Sequence, residues 1–259
     1  MSESNDRILN KLFQKSNTYI EEAIDINKEE FVKLIQSRRS VRIYDNSKVK
    51  EKDMLNCLEL SLLSPNSSNL QPWEFYWVKD LDKKKKLINY CLGQPAAATA
   101  QELVVCVARP DKWKTNTQTM IDAFKEKEIP KAASTYYKKI VPLAYNQGFL
   151  GIFGLIKRIS VFFIGLKKPI PREPTSFSDM KVWAQKSTAL ACQTLMLSLR
   201  AFGYDSCPME GIDSLRIKKL LKLPKTAQIC MVISAGKRAQ NGVYGKRFRL
   251  PKDRFIKII

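Results

Sequence analysis

Two apolar runs of strand length, Leu103–Ala108 (Leu-Val-Val-Cys-Val-Ala) and Ala227–Ala235, constrain the fold of this chain more than any other feature. A strand with one face in water alternates apolar and polar residues; a strand without that alternation is covered on both faces. Between the two runs lies Lys181–Phe202, rich in Ala, Leu and Met and closed by Gly203, which predicts a long helix with a glycine C′ residue. Trp73–Val78 reads as a third strand, and a short one follows Gly203, ahead of the loop Asp205–Ile212. Helices are expected from Lys28, with Asn27 as N-cap, Glu30 in the third helical position and Phe31, Leu34 and Ile35 as its stripe. Others are expected over 52–63, 81–90 and 214–221. Helices alternating with three or four strands define a layered α/β or α+β domain.

The 259 residues fit one sizeable domain, without internal repeats or a linker. Residues 1–27 read as an N-terminal extension with one amphipathic turn set (Ile8, Leu9, Leu12, Phe13), and 28–259 as a single domain. The polar start carries no secretory signal, so a reducing, cytoplasmic setting is expected. Six cysteines lie scattered in mostly apolar surroundings without a C-x-x-C pair, which reads as free core thiols.

Histidine is absent, which rules out a Ser-His-Asp triad, a Cys-His pair and a histidine-ligated metal. An enzyme built from this chain therefore relies on other proton donors or on a cofactor. The net charge of +20 is uneven: Pro130–Arg172 holds eight Lys/Arg and no acid, and Ser214–Ile259 holds thirteen against Asp253 alone. Such a field attracts anions, whether nucleic acid, an anionic membrane or phosphorylated small molecules.

Residues 148–166 have almost the length of a membrane span, but Lys157 and Arg158 sit at their middle. Two central charges cost about 5–7 kcal/mol against roughly 0.3–0.6 gained per large apolar residue. Ile152, Leu155, Ile156, Ile159, Phe163 and Leu166 share one helical face, away from Lys157, Arg158 and Lys168. The pattern fits an in-plane helix on an anionic membrane, a peripheral contact through 148–168 at the inner face. It also fits a helix packed on the protein's own core or on a subunit interface, as amphipathic helices usually are.

Four polar stretches carry the candidate chemistry. Arg38-Arg39-Ser40-Val41-Arg42 sets Arg38, Ser40 and Arg42 at alternate positions, on one side of an extended chain. Two guanidiniums and a hydroxyl suit a phosphate. Ser64-Pro65-Asn66-Ser67-Ser68-Asn69-Leu70-Gln71-Pro72-Trp73 clusters short polar side chains able to hold a planar heterocycle. Pro208-Met209-Glu210-Gly211 follows a short strand, and Gly211 allows close backbone approach. Lys246-Arg247-Phe248-Arg249 again spaces two arginines by two residues. Taken singly, each stretch also reads as an ordinary turn or a solvated basic face.

In this order the four stretches resemble the FMN-dependent nitroreductase family, over roughly 30–110 and 180–255, with an insertion at about 112–178. The resemblance implies an α+β, three-layer α/β/α fold with a mostly antiparallel central sheet, assembled as a homodimer with FMN at the subunit interface. It implies that Arg38, Arg39 and Ser40 hold the FMN phosphate with Arg247 and Arg249, and that Arg42 stands by the N1/O2 edge of the ring. Pro65, Asn66, Ser67 and Asn69 would come from the partner subunit, while Pro208, Met209, Glu210 and Gly211 would run along the ring near N5. Where many family members carry Asn and Lys, this chain has Gly93-Gln94-Pro95-Ala96-Ala97, so Gln94 would serve and the lysine is missing. The implied activity is ping-pong hydride transfer from NAD(P)H to an acceptor such as a nitroaromatic or quinone, with no metal and no catalytic side chain. The rival reading is a non-enzymatic basic protein binding membrane or nucleic acid. Nucleic acid is disfavoured, because the aromatics fall in apolar runs and do not interleave with the basic clusters.

Overall fold

A computed structural model describes residues 21–126 and 131–259; the turn set at Ile8–Phe13 lies outside the described residues. Four strands, β1 (Trp73–Trp77), β2 (Glu102–Ala108), β3 (Asp205–Met209) and β4 (Gln228–Gly236), form one sheet of order β1-β2-β4-β3. Every neighbouring pair is antiparallel, with Phe75 opposite Cys106, Val105 opposite Val232 and Cys207 opposite Ser234. The register between β2 and β4 shifts at Cys106/Val107.

The missing alternation in β2 has its expected cause. Leu103, Val105 and Val107 pack on one face with Leu87, Ala96, Ala97 and Ile217; Val104 and Cys106 pack on the other with Met54, Cys57, Leu195 and Leu199. The first layer comprises α3 (Leu81–Tyr90), α4 (Pro95–Ala98) and α10 (Ser214–Leu220). Opposite lie α2 (Glu51–Leu62) and the long α9 (Phe177–Ala201), with α1 (Lys28–Ser37) against α9. The three-layer α/β/α arrangement with an antiparallel centre is thus present. All six cysteines are free, and all but the half-buried Cys230 are buried.

Side-chain caps start four of the described helices, at Asn27, Asp80, Ser176 and Asp213. The Asn27 side chain accepts from the Glu29 and Glu30 amides, at 3.0 and 3.1 Å. Helix α9 begins four residues before the apolar pattern, because Ser176 accepts from the Asp179 amide while the Asp179 carboxylate accepts from Thr175. It ends at Ala201, and Gly203 just beyond the cap residue Phe202 has a left-handed φ of +81°.

Between β2 and α9 stand α5 (Trp113–Glu126), α6 (Lys131–Thr135), a π turn (Tyr136–Ile140), α7 (Val141–Tyr145) and α8 (Ile152–Gly165). Tyr137, Val141 and Tyr145 join Leu70, Ala108, Met180 and Trp183 in a smaller third core. No single described helix is long and apolar enough to cross a membrane.

Candidate functional site

The segment after α1 is stitched to the sheet edge. Ser40 bridges Ser206 of β3 in parallel, the Val41 amide donates to the Ser206 carbonyl (3.1 Å), and Tyr44 bridges Arg238. Val41 turns into the core, so the alternation of extended chain directs Arg38, Ser40 and Arg42 to the other side. Asp205, at the start of β3, is buried and held by Arg238 (2.5 and 2.9 Å) and Arg200 (3.3 Å), which anchors this edge.

The C-terminal segment returns to the same place. The Arg42 amide donates to Gly242, the Arg39 guanidinium to the Gly245 carbonyl, and the Arg247 guanidinium to the Arg38 carbonyl. Together Arg38, Arg39, Ser40, Arg42 and residues 243–249 line a cavity of about 310 Å³. Segments some two hundred positions apart thus bring five arginines to one cavity. None of these five forms an ion pair among the described residues, whereas Arg109, Arg200, Arg216 and Arg238 all do. The pKa of Arg38 is lowered, first by burial and next by Arg247 and Arg249. Such a site is short of negative charge. A phosphate would supply it through charge-assisted hydrogen bonds, so the residues present fit a phosphorylated cofactor tail.

Pro208 and Met209 end β3, and Glu210 and Gly211 form the turn beyond it. Gln94, before α4, reaches this turn, its Nε2 donating to the Gly211 carbonyl (2.8 Å) and to Cys91 (3.0 Å). A Cβ at Gly211 would meet only Gln94 Nε2, at an ordinary 3.6 Å, so the chain's own packing does not demand glycine.

Pro65, Asn66, Ser67 and Asn69 line no part of the arginine cavity in this chain. Their loop is nonetheless tightly built. Ser68, Asn69 and Gln71 have φ of 59, 48 and 47°, values that cost non-glycine residues of order 1–3 kcal/mol unless the surroundings enforce them. Asn66 Oδ1 accepts from the Gln71 amide (2.7 Å), and Asn116 donates to the Leu70 carbonyl (2.8 Å). Tyr145 Oη lies 2.9 Å from Ser67 Oγ and 3.0 Å from Ser68 Oγ, Tyr136 Oη lies 2.7 Å from Ser68 Oγ, and Tyr137 donates to the Ser68 carbonyl (2.9 Å). Sequence reasoning missed these tyrosines and Asn116, because nothing local links them to a loop 45 to 78 positions upstream. It also missed residues 243–245 as cavity wall; their signal was adjacency to the Lys246–Arg249 stretch.

The profile of the Nitroreductase family matches residues 35–237, and the chain belongs to that family. Among curated relatives, YdgI of Bacillus subtilis, a candidate NAD(P)H nitroreductase, is 28% identical over 230 residues, covering 88% of this chain and 97% of YdgI. An NADH dehydrogenase of Thermus thermophilus is 27% identical over 221 residues, covering 85% of this chain and 91% of its own. Among solved structures, a protein of Exiguobacterium sibiricum in complex with FMN superposes with a TM-score of 0.67 at 23% identity, covering 93% of this chain and all of that one.

Proposed function

We propose that the protein is an FMN-dependent NAD(P)H oxidoreductase working as a homodimer, a single domain over 28–259 with an insertion at about 112–178. The observation that carries this reading is the convergence of Arg38, Arg42, Arg247 and Arg249 with Ser40 on one cavity without an acidic partner. Arg38, Arg39, Ser40, Arg247 and Arg249 would hold the FMN phosphate as a planar, bidentate clamp. Arg42 supplies a fixed cation where negative charge develops on reduction. Gln94 sets the Gly211 carbonyl, and so the Pro208–Gly211 turn, along the ring. Bound FMN supplies the two-electron chemistry that lets reduced nicotinamide and an acceptor, such as a nitroaromatic or a quinone, react in turn at one site.

A second copy completes the site. The loop carrying Pro65, Asn66, Ser67 and Asn69 lies off this chain's own cavity, as residues lent across an interface would. Exposed Phe31, Val32 and Ile35 of α1 and Phe248, Phe255 and Ile256 of the C-terminal segment offer apolar surface for that contact.

The expected preparation is yellow, absorbing near about 450 nm, and oxidises NADH or NADPH when given an acceptor. Its mass in light scattering is twice the 29.7 kDa of one chain. A colourless protein that cannot be reconstituted with FMN, yet shifts DNA with a steep salt dependence, would instead make it a basic binding protein.

A further inference from the structure

Helix α8 carries its charge and its grease on the opposite sides from a packed helix. Ile152, Leu155, Ile156, Ile159 and Phe163 are each more than half exposed, as are Leu166 beyond its end and Phe149 and Leu150 before it. Gly154 is the helix's buried residue, packed where a Cβ would strike Gln147 Oε1 and the Thr175 carbonyl, at 2.5 and 2.6 Å. Lys157, which the sequence placed at the centre of a would-be span, points back into the protein. Its ammonium donates to the Ala144 carbonyl (2.7 Å) and the Pro174 carbonyl (3.1 Å) and lies over the Phe153 ring. The apolar face is therefore free of that charge. Arg158, Lys167, Lys138 and Lys139 are exposed within residues 130–172, a stretch that contains eight Lys/Arg and no acid, while Arg172 donates to the Val161 and Gly165 carbonyls of α8.

We infer that α8 docks the protein in the plane of an anionic lipid surface. Charge complementarity selects this occupant. Anionic headgroups would meet the cations of this acid-free stretch while the apolar face enters the acyl boundary. Helix α8 by itself is too short to span. Fourteen helical residues cover about 21 Å, short of the ~30 Å hydrocarbon core. The preceding helical stretch meets α8 at 65°, which leaves α8 free to lie flat. This inference does not depend on the cofactor reading: flavin content and vesicle binding are separate measurements.

Co-sedimentation of the full chain with phosphatidylglycerol-rich and pure phosphatidylcholine vesicles tests it, with Ile159→Glu/Phe163→Glu as the variant. Both substitutions fall on exposed positions, so folding is checked by circular dichroism and by unchanged mass in light scattering. Wild type is expected to pellet with the anionic vesicles at least tenfold more than with the zwitterionic ones. The variant is expected to lose that binding at least tenfold while keeping its mass. Wild type left in the supernatant with both vesicles, or equal binding to both, would overturn the proposal. So would a variant that dissociates into smaller species, since α8 would then cover a second copy.

Discussion

At the arginine cavity, five guanidiniums face one space without a carboxylate; on α8, the lysine in the middle of an apolar sequence is folded onto two backbone carbonyls. Both surfaces are basic, yet the protein treats the charges in opposite ways. A cation that the fold needs is satisfied within the fold, as Lys157 is. A cation kept for a ligand is left unsatisfied and crowded, as Arg38 is beside Arg247 and Arg249. The net charge of the chain could not draw this distinction; the crowding of Arg38 by Arg247 and Arg249 does.

Substitutions in the two regions should therefore separate binding from stability. The largest effect is expected from Arg38→Ala/Arg247→Ala, which removes two charge-assisted contacts of roughly 1.5–3 kcal/mol each. FMN affinity should fall at least about 100-fold by fluorescence titration, while the flavin-free protein loses no more than about 1 kcal/mol, for the Arg247 bond to the Arg38 carbonyl. Lys157→Met should do the reverse, costing about 1–3 kcal/mol in denaturant unfolding and leaving FMN affinity unchanged. A fall in affinity there would erase the contrast. Tyr145→Phe, which deletes the hydroxyl shared with Ser67 and Ser68, should cost about 1 kcal/mol. If that loop serves a partner's site, the variant should also weaken flavin binding in the dimer.

The smallest effect concerns acid. Burial works to raise the pKa of Asp179, but the Thr175 and Ser176 amides and hydroxyls outweigh it, so the carboxyl lies below its ordinary value. A depressed carboxylate contributes stability that is present above its unfolded pKa of about 3.9 and lost as the pH falls through the folded value. Asp179→Asn should remove that contribution, costing about a few tenths of a kcal/mol at pH 7, and the difference from wild type should shrink as the pH falls below about 4.

Much of this architecture was legible where chemistry is local. The unbroken apolar run of β2 announced a strand covered on both faces, and Asn27 and Gly203 marked helix ends through their side chain and backbone freedom. The alternation of Arg38, Ser40 and Arg42 announced a shared direction, since extended chain has a period of two. What stayed hidden depends on distant partners. That Lys157 would turn inward was set by the carbonyls of Ala144 and Pro174, which no periodicity in α8 encodes. Charge counting alone penalised an apolar surface that the fold had cleared. The tyrosine contacts to Ser67 and Ser68 were invisible for the same reason, being made by a π turn and a short helix packed in from outside the loop.

The central claim is that these arginines read a phosphate. Its most direct measurement is the ratio of FMN to riboflavin affinity, since the two ligands differ by the phosphate alone, in wild type and in Arg38→Ala/Arg247→Ala. The wild-type protein should prefer FMN by about 100-fold or more, and the double variant should bind both flavins nearly alike. A variant that still prefers FMN as strongly as wild type would contradict the assignment.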